Sequence, residues 1–123
     1  MKIKCLIIDD EPLAINVIKN YLEQIEDFEL VTSFSNAIDG LNFLKSNTVD
    51  VIFLDINMPV INGWQFLNEI KKSGIIKNNN LTLYIVSSST DTDDIMQAQS
   101  HDLVKNIFSK PLSINSIKHI LQS

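Results

Sequence analysis

The sequence predicts an α/β fold, a doubly wound five-stranded parallel sheet with five helices on both faces. Three observations carry this expectation. Strand-like and helix-like segments alternate five times along the 123 residues. The strand-like runs are nearly continuously apolar and rich in β-branched residues, as strands covered on both faces must be. The segments between them keep their apolar residues at helical spacing.

Taken in order, the first strand is predicted at Ile3 to Ile8, followed by a helix whose stripe is Ala14, Val17, Ile18, Tyr21, Leu22 and Ile25. A second strand is predicted at Phe28 to Phe34 and a second helix on Ala37, Leu41 and Leu44. Val49 to Leu54 reads as the third strand, and Gly63, Phe66, Leu67 and Ile70 as the third helix. Leu81 to Val86 is the fourth strand. Asp91 to Ser100 makes the poorest helix, because only Ile95, Met96 and Ala98 are apolar and its first residues suit a cap better than an interior. A weak fifth strand at Ile107 to Phe108 leads into a final helix on Ile114, Ile117 and Leu121. No internal repeat is present, and the low-complexity patches Asn78 to Asn80 and Ser87 to Thr90 fall at loop positions. The expectation is one domain over residues 1–123, either alone or cut from something longer.

Composition narrows the function. With 45% hydrophobic and 20% charged residues the chain is expected to be globular. No apolar stretch approaches the roughly 18 to 20 residues of a membrane span, and no signal-peptide pattern opens the sequence. A cytoplasmic protein without membrane contact is therefore expected. A net charge of −5 is the wrong sign for a duplex-binding surface, so no direct nucleic-acid partner is expected. All ten basic residues are Lys, which removes the bidentate guanidinium fork from any phosphate site. Cys5 is the single cysteine, so neither an internal disulfide nor a thiolate metal cluster can form.

Ligands of open parallel sheets bind beyond the carboxyl ends of the strands. At those ends stand Asp9, Asp10 and Glu11, then Asp55, then Ser87, and finally Lys110 before Pro111. Two carboxylates about 4 Å apart repel by roughly 4 kcal/mol at an effective dielectric near 20, so such a cluster must hold protons or recruit a cation. Oxygen ligands without His or Cys suit Mg²⁺. Lys110 and Ser87 would then face phosphoryl oxygens, and an Asp carboxylate can act as nucleophile in phosphoryl transfer.

At these residues the chain resembles the receiver domain of two-component response regulators, the chemotaxis receiver among them. The pattern is Asp9-Asp10 after the first strand, Leu-Asp-Ile-Asn-Met-Pro with Asp55 inside it, Gly63 eight residues later, Ser87 after the fourth strand and Lys110-Pro111 after the fifth. The resemblance covers essentially the whole chain and implies the flavodoxin-like strand order 2-1-3-4-5. It further implies that Asp55 accepts a phosphoryl group from a sensor histidine kinase or phosphotransfer protein. Asp10, Asp55 and the Asn57 carbonyl would ligate Mg²⁺, with Asp9 acting through a bound water. Ser87 would bond a phosphoryl oxygen, Lys110 would pair with the phosphate, and Lys110-Pro111 would be cis. Asn57 and Ser89 match positions that tune phosphate lifetime. Output would pass to a downstream protein through the face of the fourth helix, fifth strand and fifth helix, and a second copy of the chain is a candidate partner.

The chain departs from that pattern at Ile107, where relatives usually carry a Tyr or Phe that turns inward on activation. Phe108 is adjacent, but a shift of one residue along a strand points it to the other face. Ser100 to Asn106 also lacks the small Ala and Gly residues common before the fifth strand.

Plainer readings stand beside these. Acids before Pro12 suit any helix N-terminus; Ser88 and Thr90 suit a capping loop; His101 and His119 lack metal-ligand spacing and read as surface residues. Trp64 is expected to be partly exposed, and Phe66 to be core. The leading function is a phosphorylation-controlled signalling domain that catalyses only its own phosphorylation and dephosphorylation. A degenerate receiver acting as a phosphorylation-independent binding module is the alternative, favoured by Ile107 and opposed by the intact acids. An enzyme reading fares worse. A haloacid-dehalogenase-type phosphatase would want an Asp where Asn57 stands, and three glycines make neither a phosphate-cradling loop nor a dinucleotide fingerprint.

Overall fold

The computed structural model describes residues 2–58, 60–74, 81–88 and 92–120. The sequence features at Pro59, Asn78 to Asn80, Ser89 to Asp91 and Leu121 lie outside the described residues. The elements run β1 (Ile3–Ile8), α1 (Pro12–Gln24), β2 (Phe28–Phe34), α2 (Ala37–Leu44), β3 (Val51–Leu54), α3 (Gly63–Ser73), β4 (Thr82–Ser87), α4 (Thr92–Ser100), β5 (Val104–Ser109) and α5 (Ile114–Ile120). All neighbouring strands pair in parallel, in the order β2-β1-β3-β4-β5.

Strand alternation sorts the apolar residues onto the two faces. Leu6 and Ile8 of β1, with Ile52 and Leu54 of β3, pack with Ala37 and Leu44 of α2 and Phe66, Leu67 and Ile70 of α3. Cys5, Ile7, Val51 and Phe53 pack on the opposite face with Ile18 and Leu22 of α1 and Ile117 and Ile120 of α5. Every residue of β3 is buried, which is why its sequence shows no polar alternation. Burial and the Asp50 charge push the Cys5 thiol up to about 12.

The boundaries differ from the sequence reading where polar groups intervene. The third strand begins at Val51, because the Asp50 carboxylate turns aside to accept the Lys4 N–H at 2.8 Å. β4 runs on through Ser87, which pairs in register with Ser109. The fifth strand is much fuller than the two residues expected; it is an edge strand with Lys105 and Asn106 exposed, so its sequence is not apolar enough to announce it. In α4 only Ala98 is buried, in keeping with its weak stripe.

Gly63 and its neighbours fix where α3 starts. A Cβ on Gly63 would lie 2.7 Å from the Ile56 Cα, while the Gly63 N–H donates to the Ile56 carbonyl at 3.1 Å. Only a residue without a side chain fits so close to the chain that carries Asp55. Asn62 and Gln65 close a reciprocal capping box, and Gly74 ends the helix in the left-handed region at φ 74°. Between Asp55 and that cap, Val60 is exposed and also left-handed, at φ 70°.

Candidate functional site

The sheet's hydrogen bonding continues past the strands and fixes the loops that hold the site. The Asp9 N–H donates to the Phe34 carbonyl at 3.0 Å, the Asp55 N–H to the Ile8 carbonyl at 3.0 Å, and the Lys110 N–H to the Ser87 carbonyl at 2.9 Å. Residues far apart in sequence are thereby set on one edge, and the Lys110-Pro111 peptide that ends the β5 side is cis.

At the centre lies the Lys110 ammonium. Its Nζ stands 2.8 Å from Asp9 Oδ2, 2.8 Å from Glu11 Oε1 and 3.3 Å from Asp55 Oδ2. Asp9 is 2% exposed and Asp55 3%, whereas the Glu11 side chain is 54% exposed. Backbone donors take the inner oxygens: Asp9 Oδ1 accepts the Glu11 N–H at 2.9 Å, and Asp55 Oδ1 accepts the Asn57 N–H at 3.0 Å.

Burial dominates the protonation of this cluster. It raises Asp55 to about 6, helped by the Asp9 charge and opposed by the Asn57 N–H and by Lys110. Asp9 is raised for the same first reason, against its bonds to Lys110 and the Glu11 N–H. Burial alone would lower Lys110, but hydrogen bonds to Asp9 and Glu11 and the surrounding negative charge reverse it, so the ammonium is held more tightly than usual.

Carboxylate oxygens of Asp9, Asp10, Glu11 and Asp55 lie within 4.8 Å of one another, with Asp10 and Glu11 open to solvent. One ammonium cannot balance four carboxylates. A hard divalent cation that takes oxygen ligands and keeps part of its water shell fits this donor set, and Mg²⁺ has that chemistry. Neither histidine belongs to the cluster. His119 is exposed as expected, but His101 is largely covered and its Nδ1 accepts the Leu103 N–H at 3.3 Å.

Ser87 is fully buried at the end of β4 and its Oγ accepts from Asn57 Nδ2 at 3.1 Å. Ile107 and Phe108 do point to opposite faces. Ile107 packs with Ile56, Ile85 and Ala98, under α4, while Phe108 meets Tyr84 with ring centroids 5.8 Å apart. Ser89 lies outside the described residues. Trp64 is half-buried against two of the apolar clusters, and Phe66 is core. Two contacts escaped sequence reasoning, Glu11 on Lys110 across 99 positions and Asn57 on Ser87 across 30. No local pattern encodes either.

The chain matches the family described as the response regulator receiver domain over residues 5–122. It is 43% identical over 65 residues to the transcriptional regulatory protein BtsR of Escherichia coli K12, an alignment that covers 53% of this chain and 27% of BtsR. It is 25% identical over 117 residues to the probable C4-dicarboxylate response regulator DctR of Priestia megaterium, covering 95% of this chain and 49% of DctR. These matches thus span about half or less of the curated relatives' lengths. Among solved structures, a two component response regulator from Cytophaga hutchinsonii superposes with a TM-score of 0.89 at 27% identity, covering 99% of this chain and 96% of that one. The chemotaxis protein CheY4 of Vibrio cholerae shares the fold, with a TM-score of 0.83 at 20% identity, 99% of this chain and 98% of that one being covered. With the family's pattern matched from Cys5 almost to the last residue, this chain belongs to the response regulator receiver domain family.

Proposed function

We propose that residues 1–123 act as a phosphoacceptor receiver, taking a phosphoryl group on Asp55 and catalysing only its own phosphorylation and dephosphorylation. The observation that carries this reading is the Lys110 ammonium shared among Asp9, Glu11 and Asp55, groups supplied by three strand ends. An Asp55 carboxylate oxygen attacks phosphorus on a phosphohistidine; the P–O bond forms, the P–N bond breaks, and the imidazole leaves with the electron pair and takes a proton from solvent. Lys110 neutralises the added charge. The Ser87 hydroxyl, whose oxygen accepts from Asn57 Nδ2, donates its proton to a phosphoryl oxygen.

Asp10, Asp55 and the Asn57 carbonyl would hold Mg²⁺, with Asp9 reaching it through water. When bound, the ion supplies positive charge to the transferring phosphoryl oxygens. The donor is a sensor histidine kinase or phosphotransfer protein. A recess of about 240 Å³ beside Lys110, lined by Leu13, Ala14, Val17, Val86 and Pro111 among others, offers it an apolar footing. The downstream protein target docks on the face of α4, β5 and α5; within α4, Met96 is 61% exposed. The setting is the cytoplasm; no described helix is long and apolar enough to cross a membrane.

Intact-mass analysis after incubation with Mg²⁺ and acetyl phosphate tests the proposal. One added phosphoryl group on the wild type and none on Asp55→Asn is expected. No addition, under conditions that load another receiver, would favour the phosphorylation-independent binding module, which Ile107 in place of the usual aromatic already supports.

A further inference from the structure

We propose that Glu11 is a displaceable counter-charge: it occupies the third donor of Lys110 until a phosphoryl oxygen replaces it, and thereby sets how readily Asp55 is loaded. This deepens the function proposed above and rests on it.

An ammonium has three N–H donors, and three carboxylates lie around Lys110 Nζ, those of Asp9 and Glu11 at 2.8 Å and Asp55 at 3.3 Å. The cation is saturated. Esterification of Asp55 ends its own 3.3 Å contact, and the phosphoryl dianion brings three oxygens to this cation, so a second present partner must give way for Lys110 to serve more than one of them.

Asp9 is the wrong one to release. It is 2% exposed and its other oxygen is held by the Glu11 N–H, so freeing it would strand a buried charge. Asp55 is the acceptor itself. Glu11 differs from both, because its side chain is 54% exposed and makes no capping bond at the start of α1, although its backbone occupies the N-cap position. Its carboxylate can turn into water at little desolvation cost. Departure also removes a negative charge from beside an incoming dianion. Glu11 is therefore a positioning residue that holds Lys110 in place while the site is empty of phosphate and gives it up on loading.

The test uses Glu11→Gln and Glu11→Ala beside the wild type. Trp64, the single tryptophan, follows Gly63 at the start of α3 and serves as the fluorescence reporter. Beryllofluoride at saturating Mg²⁺ is the non-covalent probe, and acetyl phosphate with intact-mass detection reports loading. Both variants should bind beryllofluoride about fivefold more tightly, the size expected when a half-exposed ion pair no longer has to be broken, and should load faster to a similar degree. Because the pair is partly in water, the gap should narrow between about 50 mM and 500 mM salt; a merely structural effect would not do so. Equal beryllofluoride affinity in wild type and variants, with the wild type loading normally, overturns the counter-charge role. So does a change confined to the Mg²⁺ titration, which would make Glu11 a metal ligand instead. Failure of the wild type itself to load on Asp55 overturns the underlying function.

Discussion

Lys110 serves three carboxylates with one charge, and the consequence falls on Asp55. Its pKa stands near 6 against an ordinary 3.8, chiefly because the carboxyl is buried. Between those values the folded protein binds a proton that the unfolded chain does not. The resulting stabilisation is complete below about pH 4 and disappears as pH rises through 6, and Asp9 shifts in the same direction. Thermal melts in EDTA from pH 4.5 to 7.5 should show the wild type losing stability relative to Asp55→Asn as pH increases. A constant difference between the two curves would contradict the assignment. At this scale the sequence was only half informative. The residue types at the strand ends were legible, because acids, a hydroxyl and a lysine are rare punctuation for apolar strands. The Glu11 contact was not, since an acid before Pro12 is equally at home as a helix-terminal charge and its partner lies 99 residues away.

Among the elements, the turn from β3 into α3 is the most tightly constrained. Gly63→Ala would place a methyl carbon against the Ile56 backbone at 2.7 Å, so the loop bearing Asn57 must shift. A loss of about 1 to 3 kcal/mol is expected from such overpacking, with slower loading of Asp55. Val60→Gly acts in the opposite sense, because it relieves a left-handed β-branched residue that is open to solvent; chemical denaturation should report a gain of up to about 1 kcal/mol. The central strands were legible to within two residues at their ends, since burial on both faces forces an unbroken apolar run. β5 was not, because as an edge strand it keeps Lys105 and Asn106 in water. Ile107 and Phe108 illustrate the strength of simple alternation, which assigned their opposite faces before any contact was known.

For the molecule as a whole, the sheet collects negative charge at one edge of a chain already at −5. An ion that binds only the folded protein at that edge must stabilise all of it. At a Mg²⁺ concentration 100 times the dissociation constant the gain is about 2.7 kcal/mol, or an increase of about 10 °C in Tm for a chain of this length. Calorimetry with and without EDTA measures this directly, and Asp10→Asn should remove most of the increase. Strand order was legible only through family resemblance, because periodicity says which residues are inside and is silent on which strands are neighbours.

Cys5 has a practical corollary. A thiol buried in the sheet with its pKa near 12 offers no thiolate to reagents at neutral pH. Maleimide dyes should therefore ignore the folded protein, and Met96→Cys, at an exposed position on α4, would accept one label without any need to delete the native sulfur. The chain comes ready for single-site spectroscopy, with Ellman's reagent giving no colour until urea opens the sheet.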